Sequence, residues 1–149
     1  MHRTRTRAAV ATAEMDARCQ CGALRARIDG GARPFTTLCH CIQCQLRTGS
    51  PFGAVAYFRK ELVRIEGDAR EFTRGSAAGT TLTSGFCPNC GSTIYILLEK
   101  NADLLGVPVG AFGDIGFSTP DVAVWGDEKH HWVELPETIR QFARGRDGS

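Results

Sequence analysis

At 149 residues the chain has the length of one domain, and its 18 lysines and arginines against 16 acids leave a net charge of +2. That field is too weak to hold nucleic acid or an anionic membrane by bulk attraction. Aromatics are 8% of the residues, and no apolar run approaches the roughly 20 residues of a bilayer-spanning helix. A polybasic nucleic-acid binder and a helical membrane protein are thereby excluded, leaving small-molecule or protein partners.

In chain order, Arg3, Arg5 and Arg7 precede Ala8-Ala9-Val10-Ala11, a stretch interrupted by Thr12 and Glu14 too soon for a secretory core. Residues 1–15 are expected to be a disordered tail, 16–142 the folded domain and 143–149 a flexible tail, with a cytoplasmic location. Leu24, Ala26 and Ile28 alternate with Arg25, Arg27 and Asp29, the period of a half-buried strand, and Gly30-Gly31 ends it. Residues 42–47, stopped by Thr48-Gly49-Ser50-Pro51, predict one or two helical turns. Strands are predicted over 53–58, 62–66, 71–73, 80–84 and 93–98, the last β-branched, aromatic and central. Residues 107–109, 122–124 and 131–133 are further strands. Pro136 with Glu137 opens a second short helix to residue 142. The sum is an all-β domain of mainly antiparallel short strands with one or two short helices.

Seven cysteines punctuate this pattern as Cys19-x-Cys21, Cys39-His40-Cys41-x-x-Cys44 and Cys87-Pro88-Asn89-Cys90-Gly91. Cysteines this close along the backbone are poorly placed to pair with one another but well placed to clamp zinc. An odd count also disfavours a disulfide framework, and three such spacings disfavour buried free thiols. A structural zinc takes four protein ligands and a catalytic zinc keeps one position open, so seven thiols divide as four plus three. The Cys87–Cys90 turn is a zinc knuckle supplying two ligands. Its second pair comes from Cys19 and Cys21 or from the Cys39 cluster, and spacing does not choose.

Taken together, Cys-x-Cys-Gly, Cys-His-Cys-x-x-Cys followed by Thr-Gly-Ser, and Phe-Cys-Pro-x-Cys-Gly-Ser resemble the glutathione-dependent formaldehyde-activating enzyme family, which includes centromere protein V. The segment from Gly106 to Gly110 and the closing Lys129-His-His-Trp132 stretch resemble it too. The resemblance implies a small, β-tent-like fold over residues 16–142 built around two zinc sites. It assigns Cys19, Cys21, Cys87 and Cys90 to a structural four-thiolate zinc, and Cys39, Cys41 and Cys44 to a catalytic three-thiolate zinc. It implies a carbon–sulfur lyase that adds a small thiol, glutathione or similar, reversibly to formaldehyde or another aldehyde. The stretch Asp121-Val-Ala-Val-Trp125 departs from the family's pattern, which carries a histidine there.

A zinc with three thiolates is a poor Lewis acid, so its chemistry falls on the nucleophile: an incoming thiol loses its proton and becomes reactive. His40, between two ligands, is expected to point away from the metal and to play a supporting or surface role. Thr48, Gly49 and Ser50 offer hydroxyls and N–H groups to a substrate carboxylate, or else form an ordinary turn. Gln43 and Gln45 are expected to face solvent. Trp125 and Trp132 are candidates for a pocket wall, with core packing favoured, and His130 and His131, on opposite sides of a strand, do not share a metal. The alternative reading is a non-catalytic, zinc-stabilised binding module of the centromere protein V type. Metal buffering is a third. Neither a nucleic-acid nor a membrane partner is expected.

Overall fold

The structure, a computed structural model, describes residues 14–76 and 79–148. The tail expected over 1–15 falls almost wholly outside them. Eleven strands and one α-helix follow in order among the described residues: β1 (Met15–Arg18), β2 (Arg25–Ile28), β3 (Phe35–Cys39), α1 (Ile42–Thr48), β4 (Gly53–Arg59), β5 (Val63–Glu66), β6 (Arg70–Gly75), β7 (Thr81–Phe86), β8 (Thr93–Leu98), β9 (Leu104–Pro108), β10 (Val122–Val124) and β11 (Arg140–Gln141). The fold is all-β with one short helix, as its pattern predicts, and no helix among the described residues is long and apolar enough to cross a membrane.

Two sheets form. β1, β2 and β5 make a small antiparallel sheet, and the other eight strands run in the order β11-β10-β3-β4-β9-β8-β7-β6. β8 lies inside the larger sheet, with Ile94 and Ile96 buried. Most pairings are antiparallel, but β10 runs parallel to both β3 and β11.

Period-two alternation divides the large sheet into two unlike faces. Ala56 and Phe58 of β4 are in register with Val107 and Leu105 of β9. These four join Ala17, Leu24, Ala26 and Ile28 of the small-sheet region in the main core. Complete burial of Leu24, Ile28 and Ile94 contributes on the order of 1.5–3 kcal/mol for each side chain. The intervening residues Val55 and Tyr57 face the other way, toward the cavity described below. A smaller core of Leu38, Ala123 and Ile139 closes the β3–β10 end of the sheet.

Two expected elements are corrected. Residues 136–142 are not a helix: Ile139 N–H bonds to the Pro136 carbonyl in a turn, and Arg140 and Gln141 then pair along β10. Ile139 is buried against Leu38 and Ala123, and the extended pairing that seats it there outweighs the weak helical start. Residues 131–133 are a turn rather than a strand, closed by Val133 N–H on the His130 carbonyl. The strand expected at 107–109 instead ends at Pro108. The segment expected as a flexible tail makes defined contacts: Arg144 and Ala143 carbonyls accept from Trp125 and Asp127 N–H, and Arg146 lies 4.5 Å over the Phe35 ring.

Candidate metal centres and the adjoining cavity

Cys19 and Cys21 leave β1 in a tight turn, and Cys87 to Cys90 span the β7–β8 turn. Gly22 and Gly91, each directly after the second cysteine of its pair, have φ of 82° and 80°, a region in which any other residue is strained. The turns bring the four Sγ atoms within 4.8 Å of one another. Cys21 Sγ is 3.6 Å from both Cys19 and Cys87, close to the sulfur–sulfur edge of about 3.8 Å for a tetrahedron with Zn–S bonds of about 2.3 Å. N–H groups already point at these sulfurs, Leu24 N–H reaching Cys19 Sγ at 3.2 Å. The Ser92 hydroxyl and N–H, then the Cys21 N–H, hold Cys90 down to about 5. Cys21 is lowered by the Asn89 side chain and the Ala23 N–H. This is the environment a thiolate cluster requires.

The second cluster stands where β3 runs into α1. Cys39 ends the strand, Cys41 is the helix N-cap with its Sγ accepting from Cys44 N–H at 3.4 Å, and Cys44 lies in the first turn. Their sulfurs too lie within 4.8 Å of one another. Hydrogen bonds from Cys39 and Cys44 hold Cys41 down to about 2, while bonds with Cys41 and Cys44, then burial, push Cys39 far above the usual thiol range. Cys44 rises to about 11: its bond with Cys39 pulls it down, but Cys41 and burial outweigh that. Both cysteine clusters could hold a metal ion.

The triad opens into a cavity of about 400 Å³, to which β3, α1, β4, β6, β7, β8 and β10 all contribute. Cys19, Cys21, Cys87 and Cys90 line neither this cavity nor a second one of about 570 Å³ that shares Thr37, Tyr57, Ser76, Val124 and Trp125 with it. Tyr57 lies between the two chambers because Gly106, its partner across the ladder, has no side chain. A Cβ there would sit 2.6 Å from Val55 and 2.8 Å from the Tyr57 ring. The Tyr57 hydroxyl bonds to no described residue, and burial, then the neighbouring Cys44 and Cys39 sulfurs, pushes its pKa above the usual phenol value. It therefore stays a donor. Arg47 of α1 and Arg74 of β6 complete the polar lining, together with Glu128.

Trp125 is the only described non-glycine residue with positive φ, at 60°, a conformation costing about 1–3 kcal/mol. The Arg144 and Phe142 carbonyls, accepting from Trp125 and Gly126 N–H at 3.0 and 2.9 Å, hold that turn. Trp125 lines both chambers, whereas Trp132 lines neither and is 61% exposed. Beyond it, Glu128 Oε2 accepts from the Ile42 N–H at 2.6 Å, at the start of α1. Gln45, expected to face solvent, is half-buried instead. Its amide donates to the His40 and Glu128 carbonyls, and its Oε1 is 2.8 Å from His130 Nε2.

His40 is 1% exposed and packs edge-on to Phe52 at 6.0 Å, so a surface role is excluded. It does not line the cavity, and burial, then the charges of Lys129 and His130, lower its pKa. Thr48, Gly49 and Ser50 are not brought to the cavity either. Thr48 Oγ1 bonds back to the Cys44 carbonyl and accepts from Ser50 N–H, while Gly49 N–H bonds to the Gln45 carbonyl. Those groups serve the end of the helix. Sequence reasoning missed Arg47, Tyr57, Arg74 and Glu128; the alternation of 53–58 placed Val55 and Tyr57 on one face, but nothing local said that face was a cavity.

A β-sheet with a four-thiol cluster beside its dry core and a three-thiol cluster at a cavity on its other face defines a protein with two candidate metal centres of unlike surroundings. Residues 14–128 match the family described as glutathione-dependent formaldehyde-activating enzyme, and the chain belongs to that family. It is 29% identical over 131 residues, 87% of this chain and 90% of its relative, to a Schizosaccharomyces pombe protein named as an uncharacterized lyase. A crystal structure of a Rhodobacter sphaeroides protein shares the fold, with a TM-score of 0.50 and 23% identity over 71% of this chain and 92% of that one.

Proposed function

We propose that the protein is a zinc-dependent carbon–sulfur lyase that joins a small thiol, glutathione or one like it, reversibly to formaldehyde or another aldehyde. The observation that carries this reading is the three-cysteine cluster lining a cavity, set apart from a four-cysteine cluster that lines neither chamber. The soft donors and their spacing fit zinc at both places. Cys19, Cys21, Cys87 and Cys90 would hold a structural ion, and Cys39, Cys41 and Cys44 a catalytic one. Zinc held there would supply the acidity by which a small thiol loses its proton near neutral pH.

The chain's own groups do the rest. In the forward direction the thiolate sulfur bonds to the carbonyl carbon, the carbonyl π pair moves to oxygen, and that oxygen takes a proton to give the S-hydroxymethyl adduct. Tyr57, which keeps its proton and has no partner among the described residues, donates a hydrogen bond to the oxygen as charge gathers there. The apolar walls, Val55, Leu82, Ile96 and Val124, exclude water from the adduct. Membership of the family and the lyase-named relative support the reading.

The test is equilibration of glutathione with formaldehyde, followed by NMR line broadening with and without the zinc-loaded protein. Acceleration that vanishes in Cys41→Ser is the expected result. No acceleration by a protein carrying two zinc ions would overturn the enzyme reading and favour a zinc-stabilised binding module.

A further inference from the structure

Two arginines reach the triad cavity, and neither forms an ion pair among the described residues. Arg47 makes no hydrogen bond to a described residue, and Arg74 gives only one N–H, to the Gly75 carbonyl at 3.3 Å. A guanidinium has five donors arranged as a planar fork and is never neutral. Both groups are half-buried, beside walls that are largely apolar. The lone carboxylate of the lining, Glu128, already accepts from the Ile42 N–H. The geometry points to Arg47 and Arg74 as a carboxylate-binding pair, so that the ligand meeting the triad carries a carboxylate within reach of its reacting end.

This inference rests on the lyase reading for which site is the reactive one, and it adds the class of molecule admitted. Balancing the thiolate charge of the triad is one task of these arginines, since Arg74 acts on Cys41 and Arg47 on Cys44. A field needs only a point charge, however, whereas planar forks with at most one described partner, set at a cavity, match a bidentate acceptor. The cavity and its continuation beyond Tyr57, about 400 and 570 Å³, also far exceed the volume of formaldehyde. The carboxylate belongs either to the thiol or to the aldehyde, and the two are separable.

Trp125 lines the cavity and Trp132 is the protein's other tryptophan, so Trp132→Phe leaves a single fluorescent reporter on the wall. The zinc-loaded full-length protein in this background is titrated with S-methylglutathione, its diethyl ester, and glycolate as an unreactive stand-in for an aldehyde acid. We expect R47Q and R74Q each to raise the Kd of a free-carboxylate ligand at least tenfold, with R47K and R74K in between and the diester indifferent to all four. Weakening confined to S-methylglutathione assigns the carboxylate to the thiol, and weakening confined to glycolate assigns it to the aldehyde. Unchanged Kd values for both acids in folded variants, or no binding of either acid by the parent protein, overturn the inference. Failure of the lyase reading looks different: carboxylate binding stays arginine-dependent while the protein leaves the reaction of glutathione with formaldehyde unaccelerated.

Discussion

Cys87→Ser and Cys41→Ser should differ widely in what they cost in stability, because the two sulfurs sit in different surroundings. Cys87 is 1% exposed and belongs to the main core with Ile94 and Tyr95. A structural zinc in a small domain contributes on the order of 10–16 kcal/mol of apparent binding energy, which becomes folding energy when the site exists only in the folded state. A domain's net stability is only about 5–15 kcal/mol, so losing half of the zinc term unfolds it, and a buried unpaired serine hydroxyl adds about 1–3 kcal/mol more. Cys41 is half-buried, outside both core clusters, and caps α1. Serine is itself a good N-cap, so its substitution there should cost about 1 kcal/mol or less. Urea unfolding followed by far-ultraviolet circular dichroism, with elemental analysis for zinc, measures both. Cys87→Ser is expected to be unfolded at 25 °C, and Cys41→Ser to be folded with one zinc fewer than the parent. Equal loss of structure in the two variants would refute the division into a structural and a catalytic metal.

Three further outcomes are expected. Tyr57→Phe should lower kcat for adduct formation by about a hundredfold to a thousandfold while leaving zinc content unchanged; wild-type kcat in that variant would remove Tyr57 from the reaction. Zinc binding at the triad should strengthen as pH rises. Cys41 is already ionised at about 2, while Cys44 near 11 and Cys39 above it must each release a proton. Between those values affinity should therefore climb by up to about a hundredfold per pH unit, and chelator competition from pH 6.5 to 8 reads the slope. Gln45→Ala removes the side chain that joins α1 to the segment around Glu128 and His130. It should destabilise the protein by about 1–3 kcal/mol, a loss visible in the urea midpoint.

The three cysteine clusters and the helix over 42–47 were legible because each rests on local spacing, whereas the count of four plus three came from zinc's ligand number and the assignment of the sets from the family resemblance. Two or three residues fix how far apart two sulfurs lie on a turn, and Gly49 marks where the helix stops. Alternation likewise revealed β2, β4 and β8, whose branched and aromatic residues alternate cleanly or run unbroken. Phe35-Thr-Thr-Leu-Cys39 shows no apolar–polar alternation in sequence, its Thr36 being buried and its Phe35 exposed, and β1, Met-Asp-Ala-Arg, has no strand-forming residue to betray it. The parallel run of β3, β10 and β11 could not be read locally, since it joins segments whose register nothing nearby dictates. The cavity was hidden for that same reason. Arg47, Tyr57, Arg74 and Trp125 come from a helix, two strands and the turn after β10, and only cross-strand register and the close approach allowed by Gly106 bring them to one space. The sequence by itself determined which atoms could bind metal, because a ligand pair is a short-range property of the backbone. The tertiary structure decided which cluster lies beside the dry core and which meets a cavity, because a cavity is made by residues that are neighbours only after the sheet has formed.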